Sequence, residues 1–155
     1  MEKTKIREYM EGRCDCIICD LDGTLAIDQQ RGWYEYAKVI DDPVDTRLLR
    51  IIKNYLKQKV RIFFLTGRED IGVSREMTRT WLEKHLPEFE YVFDYNLIMR
   101  EKGDRRGDQI TKKELYEKYI KDYYNVLCVF DDRQKVVDMW REQGLLCCQV
   151  AKGDY

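Results

Sequence analysis

Two aspartates one residue apart, Asp20 and Asp22, come directly after the apolar run Cys16–Cys19 and before a glycine and a threonine. An apolar run that stops in carboxylates is typical of a buried strand that ends in a loop. Two like charges this close need a cation, a shared proton or a phosphate-handling role to be tolerated. The pair therefore predicts a site of one of these three kinds.

Two further apolar runs end in the same way. Val60–Leu65 is followed by Thr66, Gly67 and Arg68, and Asn125–Phe130 is followed by Asp131 and Asp132. In a doubly wound parallel sheet, the carboxyl ends of the strands lie along one edge, where ligands bind. We therefore expect the three polar ends to converge, although each one alone also fits an ordinary turn or helix cap.

Carboxylate oxygens without neighbouring His or Cys ligands favour Mg²⁺, which binds a few carboxylates and keeps several waters. We expect Asp20 and Asp131 to be direct ligands, with the main-chain carbonyl of Asp22 and the carboxylate of Asp132 near or behind the ion. Mg²⁺ in such sites usually organises phosphate oxygens. The four aspartates therefore predict a magnesium site that handles phosphate.

A bound phosphate also needs hydrogen-bond donors. The Thr66 hydroxyl, the Gly67 amide and the ammonium group of Lys112 are candidates, although a lysine in this pattern also fits a solvated helix face. An aspartate that attacks phosphorus forms an aspartyl-phosphate and divides hydrolysis into two displacements. Asp20 would be the nucleophile, and Asp22 would protonate the leaving oxygen and then activate water.

Around these residues, the hydrophobic pattern predicts alternating strands and helices. Strands are predicted at about Asp15–Cys19, Val60–Leu65, within Tyr91–Met99, Asn125–Phe130 and Leu145–Val150. Helices are predicted at about 3–12, after an Asp45 N-cap to Gln58, Asp70–His85, Gln109–Tyr119 and Arg133–Gln143. The expected fold is α/β, with one Rossmann-like domain over residues 1–155. Its parallel sheet would have about five strands and helices on both faces.

The composition indicates a folded domain with a charged surface. Of the 155 residues, 44% are hydrophobic and 37% are charged, and the formal net charge is -1. This balance gives no overall attraction to nucleic acid, so such a contact must come from a local patch. No apolar run approaches the ~20 residues that span a bilayer, and no leader pattern is present, which predicts a cytoplasmic protein without a membrane partner.

Six cysteines fit a reducing compartment. The spacing Cys16-x-x-Cys19 raises a zinc or redox alternative. However, both lie in an apolar strand whose alternate side chains face opposite ways, and His85 is the only histidine in the sequence. We therefore expect buried, reduced core thiols.

Taken together, the polar strand ends resemble the four motifs of the haloacid dehalogenase (HAD) superfamily of aspartate-nucleophile phosphatases. The matching stretches are Asp20-x-Asp22-Gly-Thr-Leu, Leu65-Thr66-Gly67-Arg68, Lys112 and Asp131-Asp132. The resemblance implies a Rossmann-like sheet with a minimal cap and Mg²⁺ as cofactor. It also implies Asp20 as nucleophile, Asp22 as general acid/base, Thr66 and Lys112 on the phosphate, and Asp131 with Asp132 at the metal.

A closer resemblance covers nearly the whole chain and is to the 3′-phosphatase domain of phage polynucleotide kinase–phosphatase. It rests on Met99-Arg100-Glu101-x-Gly103-Asp104-x-Arg106-x-Asp108, on the run from Asp131 to Arg141, and on Gln149-Val150-Ala151-x-Gly153-Asp154. It implies that Arg31 and Arg68 bind the scissile phosphate or the nucleic-acid end, and that Asp108 holds Lys112 or an arginine. The Gly-rich P-loop of the kinase half has no counterpart here, so 5′-kinase activity is not expected. The chain is either a stand-alone phosphatase or one domain of a larger protein.

Substrate access also favours a large substrate. The connections after the Asp20 motif and after the helix that follows Thr66 are each about 20 residues long, too short for a full lid domain. A local basic cluster comprises Arg100, Lys102, Arg105, Arg106, Lys112 and Lys113. Its acidic neighbours dilute it, so we expect contact with only a terminal nucleotide or two. Trp33, Tyr34 and Tyr36 either stack on a base or pack on the following helix.

These features predict a Mg²⁺-dependent phosphomonoesterase that removes 3′-phosphates from DNA or RNA ends and from 3′-nucleotides. One alternative is a HAD phosphatase for 5′-nucleotides or other small phosphomonoesters. Another is a catalytically silent binding module, against which the intact pair of Asp20 and Asp22 argues. A kinase or ligase partner in trans stays an open option, and a phage-encoded protein would act in the host cytoplasm.

Overall fold

The computed structural model describes residues 6–27, 31–32, 34–89 and 93–153, with the side chains of residues 93 and 94 excepted. Within them, the strands are β1 Cys14–Cys19, β2 Arg61–Glu69, β3 Leu97–Arg100, β4 Tyr124–Arg133 and β5 Cys147–Gly153. The α-helices are α1 Thr46–Lys57, α2 Gly72–His85, α3 Phe93–Asn96, α4 Asp108–Tyr119 and α5 Gln134–Glu142. Short 3-10 helices occupy Tyr36–Asp41 and Pro87–Phe89. No helix in these ranges has the length and apolar character needed to cross a membrane.

The five strands form one sheet in the order β3-β2-β1-β4-β5, and all neighbouring strands are parallel. Parallel neighbours need crossover connections, which are usually helices. Helices α1 and α2 pack on one face of the sheet, and α4 and α5 pack on the other. The predicted Rossmann-like α/β fold is confirmed, and β1 lies at its centre.

The side chains of β1 alternate between two cores. Ile17 and Cys19 pack on the side of α1 and α2, whereas Cys16 and Ile18 pack on the side of α4 and α5. A parallel strand buried on both faces is expected to be a continuous apolar run. Because Cys16 and Cys19 lie on opposite faces, they cannot hold one metal ion between them. Burial raises the pKa of Cys16 to about 12, as expected of a core thiol.

The first two helices follow the sequence pattern with one exception. The Asp45 carboxylate accepts hydrogen bonds from two first-turn amides of α1, so the predicted N-cap is confirmed. Helix α2 begins at Gly72, later than the predicted Asp70, and Val73 in its first turn is exposed. Thr78 is buried on the inner face of α2, where its hydroxyl accepts a hydrogen bond from Arg68 Nη1 at 3.0 Å. The hydrogen bond from Arg68 therefore allows the polar side chain of Thr78 to be buried on this helix face.

The helix predicted over 3–12 is wrong for the residues described, which begin at residue 6 and are not helical up to β1. The Asn125 side chain binds both main-chain groups of Met10, accepting from its amide at 2.8 Å and donating to its carbonyl at 2.9 Å. The amide of Arg7 donates to the Gly144 carbonyl at 3.1 Å. These partners from β4 and from the turn after α5 replace the hydrogen bonds of a helix.

The polar turn predicted for the residues from Thr66 to Arg68 is wrong, because they lie within β2, and the fourth strand likewise extends past its predicted end at Phe130. β2 continues to Glu69 and β4 to Arg133. The pairing register shifts between Thr66 and Glu69, and again between Asp131 and Arg133. Irregularities of this kind bend a strand and redirect its side chains, and they are frequent beside active sites.

The short third strand predicted within Tyr91–Met99 is present as β3, which begins at Leu97 and continues one residue beyond the predicted range. The short helix α3 precedes it. Tyr91 itself lies outside the described residues. β3 is an outer strand of the sheet, and its last residue, Arg100, reaches the site described next.

Candidate active site

The ends of β1 and β4 bring three carboxylates together. The Asp20 amide donates to the Phe130 carbonyl at 3.0 Å, which extends the pairing of the two strands to the first acidic position. One oxygen from each of Asp20, Asp131 and Asp132 lies within 4.8 Å of the others, and all three residues are buried. The predicted convergence therefore holds for these two strand ends.

Lys112 is the cation next to these carboxylates. Its Nζ donates to Asp20 Oδ1 and to Asp131 Oδ2, both at 2.9 Å. Burial alone would lower the pKa of Lys112, but Asp131 and Asp20 outweigh burial and raise that pKa above its usual value. Only 2% of Lys112 is exposed, so the alternative of a solvated helix face is wrong.

Three buried carboxylates lie close together, and Lys112 contacts two of them. Burial raises the pKa of Asp20 well above its usual value, and although Lys112 opposes this effect, Asp131 and Asp132 add to it. A divalent cation would offset the mutual repulsion of the carboxylates, and the all-oxygen donor set fits Mg²⁺. The Asp22 carboxylate is outside the cluster, so the predicted contribution of Asp22 through its main-chain carbonyl stays a prediction.

Two neighbours of Asp20 support this cluster, and the sequence pattern did not assign them a role. The Thr24 hydroxyl lies 3.1 Å from Asp20 Oδ2 and 3.2 Å from Asp132 Oδ1, where its proton links the two carboxylates. Gly23 has a φ of 83°, and a Cβ there would collide with the Asp132 carboxylate. The left-handed conformation and the close approach both require glycine.

Asp22 contacts arginines instead of the other carboxylates. Two guanidinium nitrogens of Arg68 donate to the Asp22 carboxylate, Nη2 to Oδ1 at 2.6 Å and Nε to Oδ2 at 3.0 Å. Arg31 Nη2 lies 3.2 Å from Asp22 Oδ1. Burial alone would raise the pKa of Asp22, but Arg68 and Arg31 outweigh burial and lower that pKa below its usual value. Two guanidinium groups that meet at one carboxylate could also bind the oxygens of a phosphate there.

Asp42 positions both arginines, and the sequence analysis did not identify it as a site residue. Its side chain is 3% exposed and accepts from Arg31 Nε at 3.0 Å and from Arg68 Nη2 at 3.4 Å. Its carbonyl accepts from the Trp81 indole at 2.8 Å. In the sequence, Asp42 stands before Pro43, which indicates a loop and gives no sign of a site.

We expect Asp42→Asn to lower the free energy of unfolding by about 1.5–3 kcal/mol, because charge-assisted hydrogen bonds to two buried arginines are weakened. Urea denaturation would measure this change. Asp41→Asn is the matched control, since Asp41 is the adjacent, exposed aspartate and its change is expected within about 0.5 kcal/mol. Equal destabilisation by both variants would contradict the role of Asp42.

At the end of β2, Thr66 and Gly67 make contacts within the protein that the sequence did not predict. Thr66 is buried, and its hydroxyl accepts from the Arg68 amide at 3.2 Å. Gly67 lies against α4, because a Cβ there would be 2.8 Å from Asp108 Oδ1. The glycine therefore allows the close approach of β2 and α4. The contacts of Thr66 and Gly67 with phosphate stay predictions.

Asp108 is held by arginines, and the described contacts do not join it to Lys112 by a hydrogen bond. Its Oδ1 accepts from Arg100 Nη2, and its Oδ2 accepts from Arg133 Nη1 at 2.8 Å. Arg100 Nε also donates to the Gly67 carbonyl at 2.9 Å. Arg100 thereby ties the start of α4 to β2, a role that the sequence analysis missed because it counted Arg100 as a surface cation.

These groups line a cleft of about 320 Å³. Among its lining residues are Asp20, Asp22, Gly67, Arg68, Asp108, Lys112, Asp131 and Asp132. Thr66 and Arg31 are not among the lining residues. The volume is near the lower end of the range for ligand pockets, which fits one small group bound deeply.

The predicted basic cluster does not form one exposed surface. Arg100 and Lys112 are buried, and they contact the carboxylates of Asp108 and of Asp20 and Asp131, respectively. Arg106 Nη2 lies 2.9 Å from Asp104 and 2.6 Å from Glu114. Each of these three cations therefore has an internal carboxylate partner, which agrees with the expected dilution of the cluster, and the expected contact with a terminal nucleotide or two stays a prediction.

The aromatic residues after Asp20 divide between the two explanations offered for them. Tyr36 is 8% exposed and packs in the core on the side of α1 and α2. Tyr34 is 72% exposed and lines the cleft. Trp33 lies outside the described residues.

Comparison with known proteins gives consistent matches at the level of sequence. A family model described as the polynucleotide kinase PNKP phosphatase domain matches residues 14–155. A protein of Autographa californica nuclear polyhedrosis virus, named as a candidate bifunctional polynucleotide kinase/RNA ligase, is 36% identical over 129 residues. The match covers 81% of this chain and 18% of the viral protein, so the chain spans less than a fifth of that relative.

Solved structures give the same picture for the fold. A chain in the structure of the Pnkp1/Rnl/Hen1 RNA repair complex superposes with a TM-score of 0.86 at 36% identity, covering 100% of this chain and 48% of that chain. A second structure of the Pnkp1/Rnl/Hen1 complex gives a TM-score of 0.85 at 35% identity, with coverages of 100% and 51%. The tungstate-bound class C acid phosphatase of Bacillus anthracis, with a TM-score of 0.58, 11% identity and coverages of 84% and 54%, shares the fold alone.

Proposed function

The chain belongs to the family of polynucleotide kinase PNKP phosphatase domains, and from this premise we propose that it removes 3′-phosphates from DNA or RNA ends in a Mg²⁺-dependent reaction. The observation that carries the proposal is the buried meeting of Asp20, Asp131 and Lys112 beside Asp22 in one cleft. The likeness to a chain in an RNA repair complex supports a nucleic-acid end as substrate. Nucleoside 3′-monophosphates fit the same chemistry.

The carboxylates of Asp20, Asp131 and Asp132 would hold Mg²⁺. When bound, the ion would polarise a phosphate oxygen as a Lewis acid and neutralise developing negative charge. Lys112 adds a fixed positive charge on the same side of the cleft. The protein thereby presents a nucleophilic carboxylate to an anionic phosphate without strong repulsion.

In the first displacement, the Asp20 carboxylate attacks phosphorus, the bond from phosphorus to O3′ breaks, and an aspartyl-phosphate forms. Lys112 and Thr24 each hold one oxygen of Asp20. A carboxylate has about four acceptor positions, so these two hydrogen bonds orient the group and leave lone pairs for the attack.

Asp22 transfers the proton in both displacements. It donates a proton to O3′ as that oxygen leaves, and it then takes a proton from the water that attacks the aspartyl-phosphate. In the free protein, Arg68 and Arg31 contact the Asp22 carboxylate. A bound phosphate would compete for both guanidinium groups, and Asp22 would then be released to carry the proton.

The expected substrate preference is tested with matched oligonucleotides that carry the phosphate at the 3′ or the 5′ end. We expect phosphate release from the 3′ end to be faster by at least about 10²-fold, since positioning of the reacting group sets the rate. A chelator should lower the rate by about 10³-fold, the weight of several kcal/mol of charge stabilisation, and excess Mg²⁺ should restore it.

Two outcomes would count against the proposal. Faster turnover of 5′-phosphates, 5′-nucleotides or sugar phosphates would favour the HAD phosphatase for small molecules. Undiminished turnover with chelator would contradict the metal requirement.

We also propose that kinase and ligase activities, if they act with this chain, reside in other polypeptide segments or partners. Two observations support this proposal: the viral relative is named for both a kinase and a ligase, and the similar solved chain belongs to a Pnkp1/Rnl/Hen1 RNA repair complex. Co-purification of the chain with a kinase or ligase from its source, followed by end-healing assays on nicked RNA, would test it.

A further inference from the structure

Two exposed side chains line the cleft that contains Asp20, and neither belongs to the contacts described above. Tyr34 lies in the connection between β1 and α1, and Arg105 lies in the loop between β3 and α4. Tyr34 is 72% exposed, and the Arg105 side chain is 73% exposed. Residues that line a cleft and yet face solvent mark its mouth, where a long substrate leaves it.

Tyr34 offers an aromatic surface at that mouth. Its ring meets the ring of Tyr36 edge to face, with centroids 6.5 Å apart and planes at 89°. Tyr36 is buried, so one side of the Tyr34 ring is supported by the core while most of the ring is in solvent. Supported, exposed aromatic rings of this kind stack on nucleic-acid bases regardless of sequence.

Arg105 differs from the other cations of the cleft in how weakly it is held. Lys112 and Arg68 contact the carboxylates of Asp20 and Asp22 at 2.9 Å and 2.6 Å, and Arg106 has two acidic partners within 2.9 Å. The contact of Arg105 with an acidic side chain is to Glu69 at 3.7 Å. The Arg105 guanidinium therefore has donors available for a ligand, and its planar fork of donors matches the oxygens of a phosphate.

The cleft is too small to hold much of a nucleic-acid strand, so Tyr34 and Arg105 at its mouth would meet a different part of the substrate from the terminal phosphate. About 320 Å³ is at the low end for ligand sites, so the cleft holds little beyond the terminal nucleotide. A strand that continues from that nucleotide must pass the mouth. There it would meet an aromatic ring and a positive charge, the two components of single-strand binding sites.

We infer that Arg105 and Tyr34 form a subsite for the strand next to its 3′ end, with Arg105 on the adjoining phosphodiester and Tyr34 stacked on a base. The inference rests on the proposed function, since it assumes that the 3′-phosphate lies at Asp20. The subsite makes an oligonucleotide a better substrate than a nucleoside 3′-monophosphate. Arg105 and Tyr34 bind substrate and take no part in the displacements.

The test compares kcat/KM for thymidine 3′-monophosphate with that for a 3′-phosphorylated trithymidylate, which has two internal phosphodiesters. Arg105→Ala and Tyr34→Ala should each lower kcat/KM for the trinucleotide by about 5- to 100-fold more than for the mononucleotide, mainly through KM. Tyr34→Phe keeps the ring and should retain the preference. Arg105→Ala should also reduce the slope of log kcat/KM against log salt by about 0.7.

Arg47→Ala and Tyr95→Ala are the matched controls, because these side chains are 88% and 82% exposed and do not line the cleft. Neither should change the ratio of the two substrates. If the wild-type protein hydrolyses both 3′-phosphates and the cleft variants lose the two activities equally, the subsite is refuted and the proposed function stands. If it hydrolyses neither, the proposed function fails, and the subsite fails with it.

Discussion

Asp20→Asn is expected to lower kcat/KM for a 3′-phosphorylated oligonucleotide by about 10⁴-fold or more, the usual consequence of removing a covalent nucleophile. The amide keeps the shape of the side chain and can still accept from Thr24, but it cannot form the aspartyl-phosphate. Phosphate release under single-turnover conditions measures the loss. Acid quenching with a substrate labelled on phosphorus should yield labelled wild-type protein and no labelled variant.

The loss in Asp20→Asn is not expected to come from unfolding. Burial raises the pKa of Asp20, and the charges of Asp131 and Asp132 add to this effect. The folded protein therefore disfavours the charged form of the Asp20 carboxyl group. Removing that charge relieves repulsion while Lys112 keeps Asp131 as a partner. We expect the midpoint of thermal unfolding to fall by only a few degrees, with an upward shift on adding Mg²⁺ mostly retained.

Asp138→Asn is the control for this variant. Asp138 is an exposed aspartate on α5 that hydrogen-bonds Gln134, so its activity is expected to stay within about twofold of wild type. Activity of Asp20→Asn near that of wild type would refute the covalent mechanism and would favour direct attack by water.

Asp22→Asn is expected to lower kcat by about 10²- to 10⁴-fold with a nucleic-acid substrate, the usual weight of general acid/base catalysis. A nucleoside O3′ is a poor leaving group and needs the proton. The leaving group of a nitrophenyl phosphate is a weakly basic nitrophenolate, which needs no proton to depart, so formation of the aspartyl-phosphate should be much less affected with that substrate. Rapid-quench measurement of the first turnover separates this step from the attack of water.

The dependence on the leaving group distinguishes proton transfer from a structural role of Asp22. The Asn side chain cannot accept the bidentate contact of Arg68 in the same way, so some loss of substrate binding is expected as well. Asp42→Asn perturbs the same arginines and serves as the comparison, because it should weaken binding without a leaving-group effect. A similar loss with both kinds of substrate in Asp22→Asn would contradict the assignment of Asp22 as the acid.

The sequence alone was sufficient for the fold class and for the carboxylate cluster. Apolar runs that alternate with amphipathic helices imply parallel strands, and parallel strands place their carboxyl ends along one edge. The meeting of Asp20 with Asp131, which are far apart in the chain, follows from that geometry without knowledge of side-chain packing. Lys112 was predicted at the same edge as a donor to phosphate, because it stands at the start of its helix, and its contacts with the two carboxylates came only from the structure.

Only the tertiary structure showed which charged groups neutralise one another. In the sequence, Asp42 looked like part of a loop and Arg100 like a surface cation, and Asp108 was predicted to hold either Lys112 or an arginine. In the folded chain, Asp42 holds Arg31 and Arg68, and Arg100 binds Asp108. Ion pairs depend on distances and burial between segments that are distant in sequence, and these quantities do not follow from residue type or spacing.

The same reason explains the aromatic and glycine positions. Tyr34 and Tyr36 are equivalent in the sequence, but the 3-10 helix that begins at Tyr36 turns that ring into the core and leaves Tyr34 at the cleft. Gly67 was predicted as a phosphate donor, which stays a prediction, and the structure adds that its missing Cβ makes room for Asp108. The sequence by itself determined which edge of the sheet carries the chemistry. The packing of loops and α4 against that edge decided which side chains are bound within it and which face a substrate.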